Sequence, residues 1–364
     1  MLATGCSSAG AVSRSGADTV FVGVAVTTDH RGDSYFNGVT LALSRLNAAR
    51  SPGTHPLAMR RPKPGTPDVL MATTFRDDPA VIGVVGHTGS AGTMDAAPIY
   101  ADLEDGGRRA ILAISPTATN PQVTRTTRWV FRVCPTDDDA ARALARYASD
   151  SLRAARVAVV FRDDLFGRGF TKALTDELTA HSPQTVVLER DPYLAGITEY
   201  DAYAARIVQR RADVLVVAGY SGDAADIIRA VRRAGGHPQV LGSDNVNGLS
   251  GDSATAREFR GVRYTAFFTG RASAGATAET MAFVDAYRRA FHEAPDQQAA
   301  LAYDAATLIG LAEVAVGPNR RRIRDWVAQI GSGAPALSGV TGTIRFADGG
   351  GDPVDKPVTI GVIQ

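Results

Sequence analysis

Residues 81–93, Val81-Ile82-Gly83-Val84-Val85-Gly86-His87-Thr88-Gly89-Ser90-Ala91-Gly92-Thr93, change character at Gly86. Small and β-branched apolar residues give way to hydroxyl, glycine and imidazole groups. An apolar run of this length suits a strand buried on both faces, as in a parallel sheet. A polar loop at its carboxyl end is where open α/β sheets hold ligands. Working outward, similar runs recur at 20–26, 110–115, 157–161, 186–190, 214–219 and 262–268. Helical spacing separates them. Ile227, Ile228 and Val231 form one face, closed by Gly235-Gly236 and Pro238. Phe283, Val284, Tyr287 and Phe291 form another, stopped by Pro295. Asp137-Asp138-Asp139, ahead of Leu144, Tyr147 and Ala148, reads as an acidic helix N-terminus. This alternation defines a doubly wound α/β class.

The alternation breaks at 132–139 and restarts near 157, so two α/β units are expected. A length of 364 residues agrees with about two domains. Further helices are expected over 278–293 and 297–316, followed by a final strand pair at 343–346 and 358–363. Lys+Arg 39 against Asp+Glu 38 leaves a net charge of +1, with no basic surplus for nucleic acid. No run approaches 18 consecutive apolar residues.

Enzyme signatures fail one by one. No Gly-Lys-Ser/Thr completes a phosphate loop, and Gly167-Arg168-Gly169 stops short of a dinucleotide fingerprint. Asp223 replaces the last glycine of a nucleophile elbow in Gly219-Tyr220-Ser221-Gly222-Asp223. His292-Glu293 runs into Ala294-Pro295, and the six histidines show no metal spacing. No cofactor or metal is expected, and the absences accumulate toward a binding protein. Cys134, at the end of an apolar run, reads as a buried free thiol. What remains is a set of polar loops after strands: Pro116-Thr117-Ala118-Thr119-Asn120-Pro121, Tyr220-Ser221-Gly222-Asp223 and Ser243-Asp244-Asn245. Each alone is also what a capped turn looks like. Their coincidence on one edge, with N–H groups able to hold a carboxylate, points to a ligand cleft.

These stretches resemble the Leu/Ile/Val-binding protein family, the type I periplasmic solute-binding proteins of branched-chain amino acid ABC transporters. The likeness is carried by Ile82-Gly83-Val84-Val85-Gly86-His87, Ala97-Pro98-Ile99-Tyr100, Ile114-Ser115-Pro116, Thr119-Asn120-Pro121 and Phe131-Arg132-Val133. Phe166-Gly167, Leu241-Gly242-Ser243-Asp244 and Gly339-Val340-Thr341-Gly342 with Phe346 extend it, so that it runs from about residue 20 to the C-terminus. The resemblance implies two doubly wound parallel-sheet lobes joined by three hinge crossovers. Residues 1–18 would form a tether, 19–135 plus 270–344 the first lobe, and 136–269 plus 345–364 the second. It also implies that Ser90 and Thr119, with backbone N–H groups around Ala118, hold a ligand carboxylate. Asp244 would take the α-ammonium, with Phe166 and Tyr220 on the second lobe. Phe166 stands for a common tyrosine. Arg31 stands where an aromatic residue is usual, and is either a solvated loop residue or a selector for an acidic or polar ligand tail. The Pro-rich loop over 50–68 is shortened relative to the family.

The function so implied is an extracytoplasmic solute-binding protein that closes on an amino acid or relative and delivers it to the membrane permease of an ABC importer. The alternative is a sensor module of the same fold that reports to a signalling partner. Ala3-Thr4-Gly5-Cys6, followed by Ser7-Ser8-Ala9-Gly10, resembles a bacterial lipoprotein processing box, which makes Cys6 a candidate lipid anchor to the membrane. Only five residues precede Cys6, fewer than a signal peptide needs, so either the start lies upstream or the match is chance.

Overall fold

The apolar runs become strands because neighbouring layers cover their β-branched residues on both faces, and helices return the chain between parallel strands. The first lobe lays down β1 (Val20–Ala25), α1 (Gly32–Ala48), β2 (Leu57–Arg60), α2 (Asp68–Asp77), β3 (Val81–Gly86), α3 (Ser90–Tyr100), β4 (Ala113–Ser115) and β5 (Val130–Arg132). The chain then crosses to α4 (Asp137–Arg146), β6 (Arg156–Arg162), α5 (Leu165–His181), β7 (Val186–Tyr193) and α6 (Asp201–Gln209). There it continues through β8 (Val214–Ala218), α7 (Ser221–Arg233), β9 (Gln239–Gly242), α8 (Ser253–Glu258) and β10 (Arg263–Ala266). It returns through α9 (Ala278–Phe291), α10 (Gln297–Val316), α11 (Arg320–Ala328) and the hairpin β11 (Leu337–Gly339) and β12 (Gly342–Ile344), before β13 (Thr359–Val362). The structure, a computed structural model, describes residues 19–26, 32–51, 54–250, 253–270, 277–347 and 349–364.

The first sheet has the order β2-β1-β3-β4-β5 and is parallel throughout. The second has the order β13-β10-β9-β8-β6-β7, and β13 pairs antiparallel with β10 at its edge. Among the described residues three crossovers join the lobes, at β5–α4, β10–α9 and β12–β13. Two doubly wound α/β lobes are therefore present, as the alternation predicts.

Several details differ from the sequence reading. The expected final strand pair does not form. β12 pairs with β11, and β13 leaves for the second sheet, a choice of partner that local patterning does not encode. β2 lies inside the Pro-rich segment read as a loop, because Leu57 is drawn under the sheet while its neighbours stay half exposed. The 186–190 run extends to Tyr193, and the 110–115 run pairs only from Ala113.

The helix α10 is the only described helix long and apolar enough to cross a membrane, but most of it is buried against α1 and β3. α1 lies so close to α10 that a Cβ on Gly38 would sit 2.1 Å from the Ala299 carbonyl oxygen. Two acids are buried in α10: Glu313, paired with Arg50, and Asp304. Asp304 accepts the Val340 N–H at 2.8 Å, the Thr341 N–H at 3.0 Å and the Thr341 hydroxyl. That hydroxyl in turn accepts from Lys356 Nζ at 2.8 Å, which ties the end of the third crossover to the lobe core. Burial lifts the Asp304 carboxyl and lowers the Lys356 ammonium to about 8. Removing one end strands the other without its partner. Asp304→Ala should cost about 3–5 kcal/mol in chemical denaturation; a loss below about 1 kcal/mol would show that the turn holds itself.

Candidate functional site

The edge of the first lobe is fixed from behind. His87, buried where β3 ends, meets Asp68 Oδ1 at 2.7 Å through Nδ1 and the Tyr100 hydroxyl at 2.8 Å through Nε2. The His87 bond holds the Asp68 carboxyl below the usual carboxylate range. The His87 carbonyl accepts from the hydroxyls of Ser115 and Thr93, which locks the loop after β3 to the loop after β4. Thr117 donates to the Thr88 carbonyl at 2.9 Å and meets the Tyr35 hydroxyl at 3.0 Å.

On this frame Ser90 opens α3, whose first turn carries no side-chain cap. Its N-terminal N–H groups are therefore left for an anion. Ser90 Oγ accepts the Asn120 N–H at 3.2 Å. Thr119 is buried beside it, and its carbonyl takes the Asp137 N–H at 2.8 Å. Ala118 is fully buried, and its N–H is already given to Ser115 Oγ at 3.0 Å. Its contribution is thus to hold the turn.

The second lobe supplies the facing wall. Asp164 caps α5 through the Gly167 N–H at 2.8 Å and accepts from the Tyr220 hydroxyl at 3.4 Å. The rings of Phe166 and Tyr220 lie 6.0 Å apart, and the Arg162 guanidinium sits 4.8 Å from the Tyr220 ring centre. Asp244 begins the turn after β9 and is 2% exposed, with Oδ1 buried and unpartnered. Burial pushes its carboxyl up to about 7, against two backbone N–H groups that pull it down.

A second acid stands beside it. Asp137, the first residue of α4, is 1% exposed, and both its oxygens are buried without a hydrogen-bond partner. Its carboxyl is pushed up to about 8, first by burial and further by the Asp244 charge; Thr119 and Arg132 pull it down in part. The Thr119 hydroxyl is close enough for that pull, yet falls short of hydrogen-bond geometry. The sequence reading took Asp137 only as a helix-terminal charge. The helix terminus is capped instead by Thr136 and Asp139, whose side chains exchange bonds with each other's backbone N–H. Helical phase held the missed signal: Asp137 shares a face with buried Ala140, Ala141 and Leu144. Cys134 nearby is buried and free, with its thiol pushed up to about 12 by burial.

Ser90, Thr119 and Asp137 are thus linked through the loop after β4, Asp244 acts electrostatically on both Asp137 and Tyr220, and Phe166 lies near Tyr220, while Arg31 and Cys6 lie outside the described residues. No group of acids, histidines and cysteines able to hold a metal occurs among the described residues.

The model of the periplasmic binding protein family matches residues 32–360. The chain belongs to that family. Curated relatives include an amino acid binding protein of Pseudomonas aeruginosa, 28% identical over 59% of this chain, and a Leu/Ile/Val-binding protein of Citrobacter freundii, 27% identical over 64%. The alignments span 56% and 62% of those relatives' own lengths. Among solved structures, the branched-chain amino acid transporter substrate binding protein of Streptococcus pneumoniae in complex with isoleucine has a TM-score of 0.81. It is 22% identical, covering 95% of this chain and 96% of that one. An ABC transporter solute binding protein from R. palustris in complex with 4-hydroxybenzoate also reaches 0.81, at 16% identity, with coverage of 95% and 93%. These likenesses show the type I periplasmic binding fold.

The acid pair sets a pH dependence. Both folded values lie above the ordinary value of about 4 for an unfolded aspartate. Their contribution is complete below that value and is lost as pH rises through about 7 and about 8. Ligand-free protein should therefore melt at a lower temperature at pH 8 than at pH 5, and Asp137→Asn should flatten the slope. Calorimetric scans in which the native chain gains stability over that window would contradict a neutral buried pair.

Proposed function

We propose that this protein is the extracytoplasmic binding component of an ABC importer for an α-amino acid. The observation that carries the reading is the buried pair Asp137 and Asp244, in which both Asp137 oxygens and Asp244 Oδ1 lack partners. Such oxygens call for a ligand that brings several N–H donors and a positive charge. A primary ammonium does both, whereas an aromatic acid such as 4-hydroxybenzoate does neither. Ser90, Thr119 and the uncapped start of α3 offer donors for a carboxylate at the other end of a zwitterion. Phe166 and Tyr220 give the ligand side chain an apolar wall. Relatives named for leucine, isoleucine and valine support the same class.

In this reading nothing is transformed. Contacts with both lobes shift the population toward a closed cleft, and the closed form is presented to a membrane permease. Cys6 would tether the protein to the membrane.

A thermal-shift screen tests the ligand class. Leucine, isoleucine or valine at about 100 times its dissociation constant should add about 2.7 kcal/mol of stability. A shift with 4-hydroxybenzoate and with no amino acid would overturn the reading. Asp244→Ala should weaken leucine binding by about 10- to 100-fold in titration calorimetry while the fold stays intact; unchanged affinity would remove Asp244 from the site.

A further inference from the structure

Asn120 uses every polar group it has, and each points to a different part of the machine. Its backbone N–H donates to Ser90 Oγ at 3.2 Å, and its carbonyl accepts from Arg132 Nη2 at 2.9 Å. Its side-chain oxygen accepts the Gln122 N–H at 2.9 Å. That leaves the amide nitrogen, which crosses between the lobes and donates to the Leu165 carbonyl, in the first turn of α5, at 3.2 Å.

The helix makes room for it. A Cβ at Gly169 would stand 2.8 Å from Asn120 Nδ2 and 3.6 Å from Asp137 Oδ2. Gly169 has no positive φ that would demand glycine, and glycine weakens a helix interior. Its neighbour across the gap accounts for it. Elsewhere the lobes meet through Asn247 Nδ2 to Gln298 Oε1 and Gln297 Nε2 to the Asp244 carbonyl, both 3.4 Å, and the Phe267 N–H to Gln297 Oε1 at 3.3 Å.

We propose that Asn120 is a positioning residue for cleft closure: its carboxamide, seated over Gly169, latches the first lobe's ligand loop to α5 of the second. The latch joins Ser90, where the ligand carboxylate is placed above, to the element that moves when the cleft opens. The coupling to ligand rests on the proposed amino-acid reading, while the latch itself is testable without ligand.

The full chain is compared with Asn120→Ala, Asn120→Asp, Gly169→Ala and the Asn120→Ala/Gly169→Ala double variant. Asn120→Asp keeps the shape and the acceptor for Gln122 but loses the donor, and Gly169→Ala favours the helix while colliding with the carboxamide. Small-angle X-ray scattering without ligand should show all three single variants more open than the native chain, with the double variant no more open than Asn120→Ala. Leucine affinity should fall about three- to tenfold for each Asn120 variant, and by at least as much for Gly169→Ala. In the double variant the losses should not multiply, because the added methyl then meets only a methyl. Ligand-free Asn120→Asp that scatters as the native chain does, or losses that multiply in the double variant, would overturn the latch. A native chain that fails to bind leucine counts against the ligand reading alone, and the scattering then decides the latch.

Discussion

A guanidinium with no exposed surface has to find partners for its donors inside the protein, and in this molecule that obligation falls on Arg132. Its Nε meets Asp352 at 2.7 Å, Nη1 the Ala118 carbonyl at 2.8 Å, and Nη2 the Asn120 carbonyl and the Thr124 hydroxyl. Its own N–H donates to the Gly351 carbonyl at 2.9 Å. One residue at the end of β5 thereby fixes the loop after β4, the first crossover and the third. The loop after β4 and the crossover share a single buried charge, so neither can be displaced without uncovering it. Phe131 and Phe346, edge to face at 5.1 Å, pack the same two crossovers on the apolar side.

The rigid loops behind the cleft and the strained electrostatics within it complement each other. The first-lobe loops are cross-linked by hydrogen bonds through His87, Ser115 and Thr117, so the donors they leave unused are held in place. Opposite them, Asp137 and Asp244 are buried and incompletely satisfied. Such a site is least comfortable when empty. In the proposed reading a ligand ammonium would relieve that cost while both lobes surround it.

The parts legible in the sequence are those set by local patterning. The helix α10 spans 297–316 as its composition suggests, and β3 and the loop after it were readable from one change of character at Gly86. The polar loops followed, because the carboxyl ends of parallel strands share an edge whatever the details. Long-range choices were not legible. Nothing near β13 says that it pairs with β10 instead of β12, and nothing near Leu57 says that a short strand interrupts a Pro-rich segment. Asp137 was hidden by its own neighbours. Three consecutive aspartates look like one solvated charge run, yet the first is buried in the cleft, the second stays exposed and the third is half-buried in the cap.

The position of β13 also bears on the order in which the molecule can be assembled. The second sheet is built from residues 156–266, but its outer edge at β10 is covered only by residues 359–362. Between those two events some ninety residues of first-lobe structure must be made, while β10 presents an unpaired row of backbone groups. A chain synthesised from its N-terminus therefore carries an open, pairing-competent sheet edge until residues 359–362 have been made. The same arrangement that sews the lobes together makes the second lobe the later of the two to become safe from its neighbours.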